Sequence, residues 1–360
     1  MVEAWLSDLG LCKKSLEEVV MQPRPVVNGD GSILVTGARG FVGLSLVARL
    51  VAKGIETRAC VRRDSVFIPD GAKMVRVRGL NADVNWSRAL DGAEVVVHLA
   101  ARVHVMHDIE ADPLMAFRAA NAEGTLNLAR QAAAFGVKRF VFISSVKVNG
   151  EHTEPGHAFT EADTPNPQDA YGVSKHEAEQ GLRRIAAETG MEVVIIRPPL
   201  AYGHGVKANF ASLMHAVQRG WPLPLGAVHN QRSLVALDNL VDFIITCISH
   251  PQAANQTFLV SDGQDLSTTE LIRGMARAAG VPARLLPLPM WALQAGAKLL
   301  GKGDAVQRLC GNLQVDISKA RSLLGWVPVV SVEEGLRRAM GGHRGHGLPR
   351  FARNDGRNTQ

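Results

Sequence analysis

Apolar and polar positions along residues 33–197 follow two different periods. Short β-branched runs are typical of strands that are buried on both faces of a parallel sheet. Apolar residues that recur every three or four positions predict amphipathic helices between those runs. The predicted strands are 33–36, 56–61, 73–77, 94–99, 139–144 and 192–197, with another near 257–260, and the predicted helices are 41–53, 114–135 and 174–189. This alternation predicts an α/β fold with a doubly wound parallel sheet, the Rossmann arrangement.

The pattern becomes irregular after Arg197-Pro-Pro199, where Pro and Gly are frequent and short helices are separated by loops. Asp238 is predicted to cap a helix that runs to about Cys247. Ser267-Thr-Thr-Glu270 has the spacing of a capping box, which predicts the start of the next helix. We expect a smaller C-terminal lobe that covers the carboxyl ends of the strands and encloses a substrate.

These patterns divide the chain into four parts. Residues 1–30 are interpreted as an N-terminal extension and linker. Residues 31–200 are expected to form the Rossmann domain, to which segments around 230–262 return. Residues 201–340 form most of the substrate-binding lobe, and residues 341–360, rich in Gly, Arg and Asn, are expected to be disordered.

Three glycines, Gly37, Gly40 and Gly43, follow the first predicted strand directly. Because Val42 and Leu46 begin a helical pattern, the segment is predicted to be a strand, a tight turn and a helix N-terminus. Glycines let such a turn approach a pyrophosphate closely, and the helix N–H groups supply an anion site. The triplet alone is equally compatible with an ordinary strand–helix turn, so the interpretation depends on the residues that follow.

The second predicted strand ends in arginine rather than in an acidic residue. A Rossmann domain that prefers NAD places Asp or Glu about 20 residues past the glycine turn, where it binds the ribose 2′-hydroxyl. Arg62 and Arg63 occupy that place here, and Arg39 lies inside the glycine turn. Guanidinium groups suit a 2′-phosphate, so NADP(H) is the expected cofactor, with NAD(H) as an alternative. The other interpretation is three solvated surface arginines.

Tyr171 and Lys175 stand four residues apart at the opening of a predicted helix, one turn apart on one face. The ammonium group is expected to lower the tyrosine pKa from about 10, so that Tyr171 exchanges a proton near neutral pH. Ser144-Ser145 follows the fifth strand, at the edge where ligands of such folds bind. A serine there can donate a hydrogen bond to a developing oxyanion.

Composition and charge make several classes of protein unlikely. The chain is 46% apolar and 21% charged, as in soluble globular proteins. Its net charge of +6 comes without interleaved aromatic and basic residues, so an anionic small ligand is expected and no nucleic acid. Four scattered cysteines and the lack of a signal pattern favour a reducing cytoplasm. The apolar stretch Leu285–Leu300 is interrupted and falls short of the ~20 residues of a membrane span, so it is interpreted as a core or interface helix.

Together these motifs resemble the extended short-chain dehydrogenase/reductases, a family of NAD(P)-dependent nucleotide-sugar epimerases, dehydratases and reductases. The resemblance covers about residues 32–340 in family order. The matching residues are Thr36-Gly-Ala-Arg-Gly-Phe-Val-Gly43, His98-Leu-Ala-Ala101, Asn121 with Gly124-Thr125, Ser144-Ser145 with Val148-Asn-Gly150, Tyr171 and Lys175, Arg197-Pro-Pro199, Arg232 and Leu324-Gly-Trp-Val-Pro328.

The resemblance implies a role for each matching residue. Tyr171 would be the catalytic acid/base, Lys175 would bind the nicotinamide ribose, and Ser145 would hold the substrate oxygen. Asn209 and Arg232 match positions that hold the diphosphate and nucleoside of a UDP-sugar. Asn121 would either support the site by hydrogen bonding or serve its helix. The cofactor would lie against Gly37, Arg39, Gly40, Phe41, Val42, Gly43, Arg62, Arg63, Leu99, Ala100, Ala101, Tyr171, Lys175 and Pro198.

Departures from the family pattern narrow the activity. Sugar 4,6-dehydratases follow the catalytic Thr with Asp-Glu, whereas Val146-Lys147 stands here, so dehydratase chemistry is not expected. UDP-hexose 4-epimerases typically carry Asn where Leu200 stands and Arg-Pro-Gly-Asp where Arg308-Leu-Cys-Gly-Asn312 stands. The longer phrases that begin at His98, Ser144 and Val206 resemble bacterial 4-ketoreductases of surface-polysaccharide synthesis.

The sequence therefore predicts a cytoplasmic bacterial oxidoreductase. It would use NADPH to reduce a UDP-2-acetamido-2,6-dideoxy-4-hexulose to UDP-N-acetylquinovosamine for O-antigen lipopolysaccharide. The resemblance implies pro-S hydride transfer to the sugar C4 and a homodimer that pairs helices such as 114–135 and 174–189. One alternative is a UDP-hexose or UDP-GlcNAc 4-epimerase with bound NAD. Another is a non-catalytic NADP-binding sensor, against which Ser145, Tyr171 and Lys175 argue.

Overall fold

The computed structural model describes residues 31–63, 67–103, 112–299, 303 and 309–341. The predicted N-terminal extension and, apart from Gly341, the predicted disordered tail lie outside the described residues.

The described residues form a central sheet of seven parallel strands. Their order in the sheet is β3 Lys73–Arg76, β2 Thr57–Val61, β1 Ser32–Thr36, β4 Ala93–His98, β5 Arg139–Ile143, β6 Glu192–Arg197 and β9 Thr257–Leu259. The predicted doubly wound α/β fold is therefore confirmed. The chain adds strands outward in both directions from the β1–β4 pair. In such folds ligands bind in the crevice at the carboxyl ends of the two strands where the order reverses. The remaining two strands, β7 Leu200–Tyr202 and β8 Leu234–Ala236, pair in a second, two-stranded parallel sheet.

Helices fill both faces of the large sheet and the C-terminal region. They are α1 Phe41–Ala52, α2 Ser87–Leu90, α3 Pro113–Phe117, α4 Gly124–Ala134, α5 Ala170–Thr189, α6 Ala208–Gln218, α7 Leu237–Ser249, α8 Thr268–Ala279, α9 Met290–Leu299, α10 Ser318–Leu324 and α11 Val332–Ala339. Within the described residues, none of these helices is long and apolar enough to cross a bilayer.

Alternate strand positions face two separate cores. Val35 and Val97 point to the face that α1 and α7 cover, whereas Leu34 and Val96 point to the face that α4 and α5 cover. This period of two explains why the strands are apolar throughout, as expected for a sheet buried on both faces. A third core, which includes Phe210 of α6, lies among β7, β8, α6, α8 and α11.

Two predicted helices differ from the structure. Helix α5 begins at Ala170 rather than at residue 174, because the Asp169 Oδ1 atom accepts a hydrogen bond from the Gly172 N–H at 2.7 Å. The predicted helix 114–135 contains a π-helical turn over Arg118–Glu123. Where α4 resumes at Gly124, a Cβ would lie 2.8 Å from the Leu80 carbonyl carbon, so only glycine fits this close approach.

The predicted cap at Asp238 is wrong, whereas the predicted capping box is confirmed. Helix α7 begins at Leu237 after an extended Ala236, two residues earlier than a cap at Asp238 predicts, and the Asp238 carboxylate in its first turn pairs with Arg338 at 2.8 Å. The Ser267 Oγ atom accepts from the Glu270 N–H, and the Glu270 carboxylate accepts from the Ser267 N–H at 2.8 Å. The capping box therefore caps the N-terminus of α8, as the sequence predicts.

A buried aspartate joins three elements of the C-terminal region. The Asp262 Oδ1 atom accepts hydrogen bonds from the Ala236 N–H of β8 and the Asn239 Nδ2 atom of α7, both at 2.7 Å. Its Oδ2 atom accepts from the hydroxyl of the fully buried Tyr202 of β7, also at 2.7 Å. Burial raises the pKa of Asp262, and these donors act in the opposite direction. The Tyr202 hydroxyl is thus one of three donors that stabilise a buried carboxylate.

Tyr202→Phe is expected to lower the free energy of unfolding by about 1–3 kcal/mol, because it removes a donor from a buried carboxylate. The chain has two tyrosines, so Tyr171→Phe is a matched control whose side chain is partly exposed. Urea denaturation of both variants measures the difference. An equal loss in both variants would contradict the proposed role of the Tyr202–Asp262 bond.

Candidate active site

The predicted site residues gather at one edge of the central sheet. Strand β1 leads into the glycine turn, and its neighbour β4 ends at His98. Strand β5 ends just before Ser144-Ser145, and β6 ends at Arg197. Because all these strands are parallel, their carboxyl ends meet at the same edge.

The glycine turn fits a diphosphate through its backbone. Gly37 has a φ of 65°, and a Cβ there would lie 2.8 Å from the Ala100 nitrogen. A Cβ on Gly43 would lie 2.2 Å from the Gly37 carbonyl oxygen. Helix α1 begins after Gly40 without a side-chain cap, so its first N–H groups remain to receive an anion. The turn and helix therefore have the shape and the donors that the pyrophosphate of a dinucleotide requires.

A neutral histidine fixes the segment opposite this turn. His98 is fully buried between two hydroxyl groups, with its Nδ1 atom 2.7 Å from Thr36 Oγ1 and its Nε2 atom 2.9 Å from Thr125 Oγ1. Burial lowers the His98 pKa to about 3, and the charge of Lys175 acts in the same direction. Thr36 Oγ1 also accepts from the Ala100 N–H at 3.2 Å. This chain of hydrogen bonds holds the predicted cofactor-binding residues beside the glycine turn; they are Leu99, Ala100 and Ala101.

Tyr171 and Lys175 lie one turn apart on α5, as the sequence predicts. The Lys175 Nζ atom donates a hydrogen bond to the Ile143 carbonyl at 2.8 Å and lies 5.9 Å from the centre of the Tyr171 ring. Burial lowers the pKa of Lys175 to about 7. Burial also raises the pKa of Tyr171 to about 12, with a further contribution from the charge of Asp169. The expectation of a lowered tyrosine pKa is therefore wrong for this arrangement, because desolvation and the charge of Asp169 both raise this pKa.

The two adjacent serines have different partners. The buried Ser144 donates its hydroxyl proton to Glu179 Oε1 at 2.6 Å. The Ser145 Oγ atom instead accepts from the Lys147 N–H at 3.2 Å, at the start of a 3₁₀ turn over Val146–Val148. As an acceptor in this contact, Ser145 keeps its proton for another oxygen. This difference agrees with the choice of Ser145 as the candidate catalytic serine.

A buried ion pair lies directly behind these residues. Arg197 donates to Glu179 through two hydrogen bonds, Nε to Oε1 at 2.9 Å and Nη2 to Oε2 at 2.6 Å. The Arg197 Nη1 atom also donates to Asn149 Oδ1 at 3.0 Å. The pair therefore connects α5, the end of β6, the Ser144 hydroxyl and the loop after β5. Glu179 was not among the predicted site residues. Its place beside the apolar Ala178 on the buried face of α5 could have indicated a buried acidic residue that needs a partner.

Lys147 connects the serine turn to the helix that carries Tyr171. Its Nζ atom donates to Glu151 Oε1 at 2.7 Å and to Asp169 Oδ2 at 2.6 Å. The other Asp169 oxygen caps α5 at Gly172. The sequence drew attention to Lys147 only as a departure from the dehydratase pattern, and its bridging position was not predicted.

Asn121 lies in the π-helical turn and uses both ends of its side-chain amide. Its Oδ1 atom accepts from the Arg102 N–H at 2.7 Å, and its Nδ2 atom donates to the Arg102 carbonyl at 3.0 Å and to Ser174 Oγ at 3.1 Å. Ser174 in turn donates to the Tyr171 carbonyl at 2.8 Å. The hydrogen bonds of Asn121 thus tie the segment after β4 to α5, which is the supporting role among its two predicted roles.

The remaining predicted residues lie around this centre. Arg39, Arg62 and Arg63 are exposed at the ends of the neighbouring strands β1 and β2. Asn209 is exposed on the first turn of α6. Arg232 is half-buried and donates to the Gly311 carbonyl at 3.0 Å. Phe41 and Val42 open helix α1, and the Pro198 carbonyl accepts from the Val146 N–H at 3.0 Å.

Known proteins are similar to this chain in sequence and in fold. Residues 33–261 match the model of the NAD dependent epimerase/dehydratase family. A UDP-glucose 4-epimerase of Vibrio cholerae is 52% identical over 307 residues, which cover 85% of this chain and 93% of that protein. The structure of MoeE5 in complex with UDP-glucuronic acid and NAD is similar with a TM-score of 0.70 at 25% identity, over 86% and 98% of the two chains. A UDP-glucose 4-epimerase from Thermotoga maritima has a similar fold, with a TM-score of 0.68 at 24% identity over 86% and 97%.

Glu179→Gln is expected to lower the free energy of unfolding by about 3–5 kcal/mol, because it leaves the buried Arg197 charge without its partner. Glu177→Gln is the matched control on the same helix. Glu177 pairs with Arg118 at 2.6 Å, but both side chains are about a third or more exposed, at 32% and 43%. This control should cost less than about 1 kcal/mol. Thermal and urea unfolding of the two variants measure the contrast, and similar losses would contradict it.

Proposed function

Because the chain belongs to the NAD-dependent epimerase/dehydratase family, we propose that it is a UDP-sugar 4-epimerase. The observation that carries this proposal is the 52% identity to the Vibrio cholerae UDP-glucose 4-epimerase over 93% of that protein's length. The positions of Ser145, Tyr171 and Lys175 at the carboxyl edge of the sheet are consistent with it.

The residues around the glycine turn would hold the cofactor. Gly37 and Gly43 would leave room for the pyrophosphate, and the first N–H groups of α1 would donate to it, while Ala100 lies on the other side of the turn. Lys175, anchored on the Ile143 carbonyl, is placed to contact the nicotinamide ribose. When bound, the nicotinamide supplies the hydride acceptor and donor for the sugar C4 carbon.

Tyr171 and Ser145 would handle the proton and the charge at the C4 oxygen. With a pKa of about 12, Tyr171 is protonated at neutral pH and can protonate the oxygen of a C4 ketone as it is reduced. In the opposite direction the phenolate removes the C4 hydroxyl proton, and the ammonium form of Lys175 stabilises that phenolate. Ser145 would donate a hydrogen bond to the same oxygen.

Water elimination does not belong to the proposed activity. In the place of the Asp-Glu pair of the dehydratases stand Val146, which is buried, and Lys147, whose ammonium group is bound by two carboxylates. These side chains offer no acid or base to a sugar, so the proposed chemistry is confined to C4.

A second candidate is the NADPH-dependent reduction of a UDP-2-acetamido-2,6-dideoxy-4-hexulose to UDP-N-acetylquinovosamine, for O-antigen lipopolysaccharide. The observation that favours it is the set of Arg39, Arg62 and Arg63 at the ends of β1 and β2. Three guanidinium groups suit the 2′-phosphate of NADP(H) and offer no acceptor to the 2′-hydroxyl of NAD.

We also propose a bacterial cytoplasmic location and a homodimer. The helices that the resemblance implicates in dimer formation are α3, α4 and α5. Large apolar side chains are exposed at Met115 on α3 and at Phe135 immediately after α4. A partner that covers them would remove this apolar surface from water.

One assay separates the two candidates. Purified protein with UDP-glucose or UDP-GlcNAc and no added cofactor should form the C4 epimer if it retains NAD as an epimerase. Oxidation of added NADPH, faster than of NADH, with a UDP-4-keto-6-deoxy sugar and no epimer formation would support the reductase instead. Tyr171→Phe should reduce either rate by about 10²- to 10⁴-fold without lowering stability. Unchanged turnover in Tyr171→Phe would contradict both enzymatic proposals and favour the sensor.

The Lys147 bridge gives a second test of the site. Lys147→Met removes the cation beside Asp169, whose charge already raises the Tyr171 pKa, so the pH dependence of kcat should shift to higher pH. Loosening of the serine turn should also lower kcat by roughly tenfold, with a smaller effect on KM. Lys138→Met is the control, since Lys138 pairs with Glu94 at 2.7 Å near the other end of the strands. Identical pH profiles for the two variants would exclude a role of Lys147 in positioning Tyr171.

A further inference from the structure

Four large apolar side chains are exposed in two segments of the C-terminal region, 221–223 and 284–291, and we call the surface of these segments the tryptophan face. Trp291 is 72% exposed, Trp221 53%, Leu286 50% and Leu288 40%. Their chain neighbours, among them Leu285, Met290 and Leu293, pack against the third core and fix the backbone beneath them. The exposed side chains thus project outward from a supported surface.

Hydrogen bonds join the two segments that form this face. The Leu223 N–H donates to the Arg284 carbonyl at 2.9 Å, and the Leu286 N–H donates to the Leu223 carbonyl at 2.8 Å. Trp221 and Arg284 line the same surface depression. The segment of Trp221 is therefore held beside the segment of Arg284 and Leu286, and Trp291 follows Leu286 by five residues at the start of α9.

The two stretches that contribute the face carry charge of a single sign. The sequence contains no Asp or Glu in residues 193–237 or in residues 271–303, the two stretches that contribute the face. The guanidinium group of Arg219 lies 5.8 Å from the centre of the Trp221 ring, and Arg284 is exposed beside it. An apolar patch with a cationic border suits an anionic partner.

The last described residues of the chain also lie close to this face. The Gln218 Nε2 atom, three residues before Trp221, donates to the Met340 carbonyl at 3.5 Å. Residues 342–360, which follow, contain four arginines and one aspartate. Further positive charge is thus attached next to the tryptophan face.

We propose that the tryptophan face binds peripherally to the surface of an anionic phospholipid bilayer. Trp is favoured at the level of the headgroups, where leucines reach the acyl region and arginines meet the phosphates. Apolar insertion combined with a basic patch gives the two signals that stable peripheral binding requires. Pairing of this face with a second copy would bring two cationic borders together, which opposes self-association.

The test is flotation of the full-length chain with vesicles. We expect the protein to float with vesicles that contain phosphatidylglycerol, to float much less with pure phosphatidylcholine, and to be partly released by salt. The double variant Trp221→Ser/Trp291→Ser should lower the partition coefficient at least roughly tenfold. The control Phe67→Ser/Met74→Ser removes exposed apolar side chains on and before strand β3, outside the tryptophan face and the proposed dimer helices, and should bind as the wild type does. Unfolding curves confirm that each variant is folded.

A measurement on the wild type needs no variant. Brominated acyl chains in the anionic vesicles should quench its tryptophan fluorescence, and the double variant should lose most of this quenching. The proposal is overturned if the wild type does not float, or if the double variant floats equally well. It is also overturned if removal of residues 342–360 alone abolishes flotation, or if the double mutation abolishes a concentration-dependent dimer while no vesicle binds.

Discussion

The buried Glu179–Arg197 pair is the interaction on which the candidate site depends. Two charges without access to water are costly unless hydrogen bonds satisfy them. Here two parallel hydrogen bonds join the two side chains, Asn149 accepts a further bond from Arg197, and Ser144 donates one to Glu179. One end of the pair belongs to the helix of Tyr171 and Lys175, and the other ends a strand of the central sheet. A shift of either element breaks the pair, so the pair fixes where the reactive side chains stand relative to the sheet edge.

Burial elsewhere in the site favours neutral forms. His98 with a pKa of about 3 is neutral, Tyr171 with a pKa of about 12 keeps its proton, and Lys175 with a pKa of about 7 holds its charge only in part near neutrality. The histidine has a consequence for stability. Between its usual pKa of about 6.5 and about 3, the unfolded chain binds a proton that the folded chain does not, so the fold loses stability as the pH falls through this range.

Much of the fold could be predicted because it follows from local patterns. The seven strands, the glycine turn and the Ser267 capping box depend on periodicity and on nearest neighbours in the chain. The π-helical turn, the early start of α5 and the misplaced cap at Asp238 depend on contacts between distant residues, such as Asp238 with Arg338. The direction of the Tyr171 pKa shift was wrongly predicted for the same reason. The spacing of Tyr171 and Lys175 shows that the two groups are near each other, but it does not show that folding desolvates both of them.

The epimerase proposal and the NADPH proposal rest on different parts of the molecule. Ser145, Tyr171 and Lys175 lie at the sheet edge and would serve hydride transfer at C4 in either direction. Arg39 and Arg62 are exposed at the rim, where the proposal would place the adenosine ribose of the cofactor, away from the reacting carbon. Identity to an epimerase through the chain is therefore compatible with a reductase-like cofactor preference at the rim. What divides the two activities physically is whether the cofactor stays bound between half-reactions, and the rim arginines would act on that binding.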